Sequence, residues 1–154
     1  MGGWLTARAV TVFLLVAMLI PCSAYATEAS PGTTFMVGSI EYEVLSGTSV
    51  QVDGVPENSV DVEIPAGVEY EGTTYTVSAI GDHAFNFSPQ LTSVRIPDSV
   101  ISIGDGAFRY CIKLTSVTIP DSVISIGGSA FSHCASLASI AIPDSVTSIE
   151  NGTF

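Results

Sequence analysis

From Leu91 to Ser136 the chain writes one 23-residue block twice: LTSVRIPDSVISIGDGAFRYCIK is followed at once by LTSVTIPDSVISIGGSAFSHCAS, and the two agree at 16 of 23 positions. A third block, LASIAIPDSVTSIENGTF, opens at Leu137. A period this short leaves few choices of fold. Each block is one supersecondary unit, and the units must stack into a solenoid to share a continuous core.

Inside the second block the apolar positions are Leu114, Val117, Ile119, Val123, Ile126, Ala130, Phe131 and Cys134. They alternate at first, as in a short strand, and then spread over a second, less regular arm. One block alone buries too little apolar surface to offset the entropy of ordering its backbone, so stability must come from neighbouring coils. The positions that differ between blocks agree with this. Arg95 becomes Thr118 and then Ala141, Arg109 becomes Ser132, Tyr110 becomes His133, and Lys113 becomes Ser136. All fall between apolar positions, where side chains face solvent. The Pro-Asp-Ser triplets at Pro97, Pro120 and Pro143 follow the strand, where a missing N–H and a fixed φ start a turn. Asp98, Asp121 and Asp144 are expected to bond nearby backbone amides in those turns. One carboxylate per coil is too few for calcium.

The pattern L-x-S-V-x-IPDSV-x-SIG-x-x-AF-x-x-C resembles the BspA-type leucine-rich repeats found in surface proteins of bacteria and some protists, and it covers Leu91 to Phe154. An imperfect earlier copy is similar: Val62 to Val68 stands in for V-x-IPDSV, and Ile80 to Phe85 for IGDGAF. Between them Glu69 to Val77 alternates around Gly72 and reads as a β-hairpin inserted into the first coil. The expected fold is a repeat solenoid, a leucine-rich repeat array with short parallel β-strands and about 23 residues per coil. Its boundaries are an atypical first repeat at 62–90, repeats at 91–113 and 114–136, and a truncated repeat at 137–154. The resemblance makes the hairpin-bearing copy part of an N-terminal cap.

Upstream, residues 35–61 contain FMVGSIEYEVL and SVQVDGV, alternating stretches punctuated by Gly47 and Gly54. They predict a small antiparallel β cap over the first coil, since fewer than 30 residues make a poor independent core. Residues 27–34 read as a flexible leader. Residues 1–26 read as a signal peptide: Arg8 flanks an apolar run from Ala9 to Ile20, and Ala24-Tyr25-Ala26 is a small-x-small cleavage site. A run this short does not favour stable membrane insertion after cleavage. Pro21 before Cys22 fits a lipid-attachment signal badly. Without the signal, three basic residues face 15 acidic ones, a net charge of −12. Such a chain repels phosphate backbones, so no nucleic acid is expected as a partner.

No arrangement supports catalysis, and the chain is expected not to be an enzyme. His83 and His133 sit in variable parts of the coils, and the serines follow the repeat rather than a nucleophile's needs. Gly104-Asp105-Gly106 and Gly127-Gly128 lack the lysine of a phosphate loop and read as tight turns. Cys111 and Cys134 hold the same place in successive blocks, point the same way, and so read as buried free thiols rather than a disulfide. No close ligand pair suggests a metal, and no cofactor is implied.

The repeat does suggest a recognition surface. Between the buried strand residues lie Ser93 and Arg95, then Ser116 and Thr118, then Ser139 and Ala141. This exposed strand face is the expected contact for an extracellular protein or glycan ligand, and the absence of an aromatic on it favours protein. The resemblance implies a secreted or cell-surface protein that adheres to host or microbial surfaces. Two alternatives stay open: the targeting repeats of a longer surface enzyme, or a structural spacer. Phe154 aligns with Phe108 and Phe131, so the third coil stops before it closes. Either the array continues, or the uncapped end pairs with another molecule. Asn86-Phe87-Ser88 and Asn151-Gly152-Thr153 match the glycosylation acceptor pattern, which matters only in a eukaryotic source.

Overall fold

The computed structural model describes residues 28–154, so the signal segment expected at 1–26 lies outside the described residues. Ten strands follow in order. They are β1 (Thr34–Val37), β2 (Ile40–Ser46), β3 (Ser49–Gly54), β4 (Asp61–Glu63) and β5 (Gly67–Tyr70). Then come β6 (Thr73–Ile80), β7 (Ser93–Arg95), β8 (Ser102–Ile103), β9 (Ser116–Thr118) and β10 (Ser125–Ile126). No helix among the described residues is long and apolar enough to cross a membrane.

The repeats wind as a β-solenoid. On one side β4, β7 and β9 form a parallel sheet, with Ser93 opposite Ser116 and Arg95 opposite Thr118. On the other, β6, β8 and β10 are parallel as well, Ile80 facing Ile103 and Ile103 facing Ile126. The second arm is therefore also a strand, a point the sequence did not show: a Ser-Ile pair is too short to display a period. The step between partners is 23 residues in the perfect repeats but 32 between Val62 and Val94. The nine extra residues are taken up by the β5–β6 antiparallel hairpin, whose turn at Glu71 and Gly72 holds φ of 49° and 80°.

Residues 34–54 run as an antiparallel meander, and β3 then pairs parallel with β6, Val50 opposite Val77. The meander thus continues the second-arm sheet. Its inner face, Phe35, Tyr42, Val44, Val50 and Val52, joins the same core as the repeats. Residues 28–33, read from the sequence as a flexible leader, make defined contacts. The Ala29 amide donates to the Tyr75 hydroxyl at 2.7 Å and the Gly32 amide to the Val44 carbonyl at 2.8 Å.

The coil at 114–136 presents the expected apolar set inward, whereas at 137–154 Leu137, Ile140, Ile142 and Val146 are half-buried and Ile149 and Phe154 exposed. Leu114, Val117, Ile119, Val123, Ile126, Ala130 and Phe131 are buried, and Cys134 is half-buried. Phe85, Phe108 and Phe131 stack along the axis with centroids 4.8 and 5.2 Å apart. Polar groups repeat as faithfully. The Ser99, Ser122 and Ser145 hydroxyls donate to the Val77, Val100 and Val123 carbonyls of the preceding coil at 2.6, 2.7 and 2.5 Å. The side-chain bond at the Pro-Asp-Ser turn is thus made by the serine, not by the aspartate as expected. Another aspartate does join coils: Asp82 Oδ1 accepts from the Asp105 amide at 2.8 Å, and Asp105 Oδ1 from the Gly128 amide at 2.7 Å. The glycine one residue before each of those amides is obligatory. A Cβ on Gly127 would lie 2.4 Å from Asp105 Oδ1 and 2.6 Å from the Asp105 backbone nitrogen.

That contact sets the first prediction. Gly127→Ala should destabilise the protein by about 1–3 kcal/mol, as overpacking against backbone does, whereas Ser125→Ala on the exposed side of β10 should stay within about 0.5 kcal/mol. Thermal unfolding of the two variants side by side checks this, and equal midpoints would contradict the stacking described.

Candidate functional site

Residues at odd positions of the short parallel strands must leave the core, because side chains alternate across a strand. Val94 and Val117 point in, and Ser93, Arg95, Ser116 and Thr118 point out on the β4–β7–β9 sheet. They line an open groove of about 780 Å³ together with Asp61, Glu63 and Asp98. Four of the five expected contact residues are thus brought together. Ser139 is not. It lies on an exposed segment beyond β9 that forms no strand, and it borders a separate hollow of about 430 Å³ with Leu137, Ile140 and Phe154. The third coil is held through its turns instead, by the Phe131 amide on the Thr153 carbonyl at 2.7 Å and the Ser145 hydroxyl on the Val123 carbonyl.

The groove is more acidic than the sequence suggested, because β4 adds two carboxylates that no repeat-based alignment of Ser and Thr would flag. Asp61 Oδ1 accepts from Ser93 Oγ and from Thr92 Oγ1, both at 2.7 Å. These hydroxyls, Ser93 first, hold the Asp61 carboxyl below the usual carboxylate range. Glu63 Oε1 lies 3.8 Å from Arg95 Nε, with both side chains about four-fifths exposed. An ion pair so open to water contributes about 0–1 kcal/mol.

Away from the groove, the thiols are structural. Cys111 Sγ and Cys134 Sγ donate to the Phe85 and Phe108 carbonyls, each at 3.1 Å, and both cysteines are free. Burial pushes the Cys111 thiol up to about 12, with the neighbouring Cys134 adding to the rise, and pushes Cys134 up to about 11. Neither is a nucleophile at neutral pH. Cys134 is half-buried rather than buried as expected. His83 and His133 are exposed. Among the described residues no group of His, Cys, Asp and Glu is arranged to hold a metal ion. The Asn86 and Asn151 motifs are poorly placed for modification: Ser88 and Thr153 are buried, and Asn86 Oδ1 is buried without a hydrogen-bond partner.

One feature escaped the sequence reading. Phe87, Tyr110 and His133 occupy equivalent places in successive coils and stack ring on ring, with centroids 4.6 and 4.4 Å apart. The signal was available as three ring-bearing residues spaced by 23, but read block against block the change from Tyr to His looked like free variation.

Two sheets of short parallel strands, locked at one 23-residue step, match a family whose description is BspA type leucine rich repeat region (6 copies), over residues 78–154. The chain belongs to the BspA-type leucine-rich repeat family. Solved structures agree. A leucine-rich repeat protein from Bacteroides capillosus is 37% identical with a TM-score of 0.71, the match covering 77% of this chain and 88% of that one. Another, from Bacteroides ovatus, is 38% identical at a TM-score of 0.69, over 73% of this chain and 30% of that one. A leucine rich cell surface protein from Faecalibacterium prausnitzii is 32% identical at 0.66, over 82% and 40%. The chain thus spans less than half the length of two of these relatives. No curated protein sequence matches it.

Two outcomes test the site chemistry. In the native BspA-type fold both thiols should resist alkylation at neutral pH, Cys111 more than Cys134, and react fully in denaturant. Mass spectrometry after timed iodoacetamide treatment reads this, and a native Cys111 as reactive as an unfolded one would refute the buried position. Asp61 has a depressed folded-state pKa, so its contribution to stability is complete above 3.8 and is lost as pH falls below that value through the depressed one. The urea midpoint of the wild type should therefore drop more steeply in that acid range than that of Asp61→Asn.

Proposed function

We propose that this BspA-type repeat protein is displayed outside the cell and uses the β4–β7–β9 face to bind an extracellular protein ligand, mediating adhesion to host or microbial surfaces. The observation that carries the reading is the open groove with Ser93, Arg95, Ser116 and Thr118 on its floor and Asp61, Glu63 and Asp98 beside them. Short hydroxyls and an exposed guanidinium suit backbone and side-chain hydrogen bonding across a flat face. The three carboxylates outnumber the single cation, which favours a partner segment that carries basic groups. No aromatic ring lies among the groove's lining residues, so a sugar has no aromatic stacking platform there. The Faecalibacterium relative described as a leucine rich cell surface protein supports the location, as does the signal segment read at 1–26. The repeat fold supports binding rather than catalysis, although a fold by itself does not fix a function. A longer parent chain with an enzyme domain, or a spacer role, would make the same coils passive.

The test pairs location with contact. Antibody against residues 28–154 should label intact cells of the source organism and not only lysed ones. Purified wild type should then bind saturably to at least one member of a panel of purified host-matrix proteins. Arg95→Ala combined with Thr118→Trp should weaken that binding about tenfold or more while leaving the unfolding temperature unchanged, as an exposed ion pair permits. Unaltered binding by the folded variant would remove this face from the site, and no saturable ligand at all would favour the spacer.

A further inference from the structure

A second surface lies on the turn arm of the coils, apart from the strand groove. Phe87, Tyr110 and His133 each adopt a left-handed backbone, with φ of 55°, 60° and 63°. Bulky residues are rare in that region, and glycine is the undemanding choice. At the other left-handed place in the same turn the residue varies, His83, Gly106, Ser129 and Gly152 in successive coils. At 87, 110 and 133 the chain keeps a ring in every coil. The rings lie nearly parallel in the first pair, 18° apart, and are tilted by 32° in the second. Their faces cover one another, so the column shows mainly ring edges to solvent. Phe87 is still 57% exposed.

Cations lie in the same coil as the column's central ring. Of the three Lys and Arg in the described residues, two belong to the coil of Tyr110, Arg109 beside it and Lys113 three residues on. The Arg109 guanidinium sits 4.9 Å from the Tyr110 ring centroid, and its Nε is buried without a hydrogen-bond partner. Lys113 extends to Gln90 Oε1 at 2.7 Å. Neither forms a salt bridge with a described carboxylate, unlike Arg95 with Glu63. On a chain of formal charge −11, two unpaired cations beside one aromatic column are a local reversal. Charges within the screening length of about 8 Å govern what docks, rather than the distant net charge. Aromatic ring edges are the positive part of the quadrupole, so they add to the same polarity. Ile112, 46% exposed, supplies an apolar contact between the two cations in sequence.

We propose that the Phe87–Tyr110–His133 column, with Arg109 and Lys113, is a docking surface for an acidic peptide segment of another protein. A carboxylate-rich extended peptide matches two cations placed four residues apart in one coil, Arg109 and Lys113, and its aliphatic stems can lie on exposed Ile112 and the ring edges. A glycan finds only the outer faces of the end rings Phe87 and His133 to stack on, since both faces of the Tyr110 ring are covered by its neighbours. This surface is independent of the strand groove, and its test can fail while that one stands.

The experiment measures binding of a fluorescein-labelled oligoglutamate peptide to residues 28–154 by anisotropy at two salt concentrations. Saturable binding that weakens with added salt is expected. Lys113→Gln with Arg109→Gln should weaken it roughly tenfold. Tyr110→Gly, which relaxes the left-handed backbone and removes the central ring, should weaken it while keeping or raising the unfolding temperature. Arg95→Ala should leave it unchanged. Absence of saturable binding, equal binding by the double variant, or dependence on Arg95 instead would overturn the proposal. Tighter binding of a size-matched polygalacturonate, lost in the same variants, would replace the peptide by an anionic glycan.

Discussion

Coil-to-coil hydrogen bonding is what everything else in this molecule waits on. A strand of two or three residues cannot satisfy its own amides, and a turn with left-handed residues directs several N–H groups away from its own coil. Those groups find partners only one coil away. The amides of His83, Phe85 and Phe87 donate to the Asp105, Ala107 and Arg109 carbonyls of the next coil, at 2.9, 2.8 and 3.0 Å. At the entry to the short strands the direction reverses, the Ile124 amide donating to the Ile101 carbonyl at 2.9 Å. Bonds running both ways fix the step at 23 residues, because a slip of one residue would unpair both arms and turn the core side chains outward. The apolar ladders, from the stacked phenylalanines to Leu91 and Leu114, sit in register because the backbone does.

Much of this was legible in the residues. The period, the inward set of Leu, Val, Ile, Ala and Phe, the hairpin at Glu71 and Gly72, and the outward strand row all follow from alternation and recurrence. What was hidden has physical reasons. β8 and β10 are two residues long, below any window in which a pattern can register. Asp61 and Glu63 reach the groove because β4 pairs with β7, a pairing offset by the inserted hairpin and so out of phase with the block count. Ser139 fits the sequence pattern but not the ladder, since recurrence marks a place in a block and not whether its amides are paired. The aromatic column looked like drift between blocks because similarity was weighed residue by residue, whereas Phe, Tyr and His share a flat ring.

The two faces divide the charge of an acidic protein. The strand groove gathers Asp61, Glu63 and Asp98 around one arginine, itself held by Glu63. The turn face holds the other two cations unpaired beside rings. A solenoid permits this because each position within the repeat draws its own stripe along the axis, so a substitution changes one stripe and leaves the core untouched. Arg109 and Lys113 are replaced by serines in the next coil, and the buried positions beside them do not change.

The nine extra residues taken up by the β5–β6 hairpin show how such a chain can grow. They enter the first coil as a unit that satisfies its own backbone, Val68 opposite Tyr75 and Tyr70 opposite Thr73, and the strands on either side keep their partners. New length is therefore absorbed sideways without disturbing the phase of the array. In evolutionary terms the molecule has two separate routes of innovation: copying a whole coil, which lengthens the axis, and decorating a bend, which adds a local feature at constant pitch.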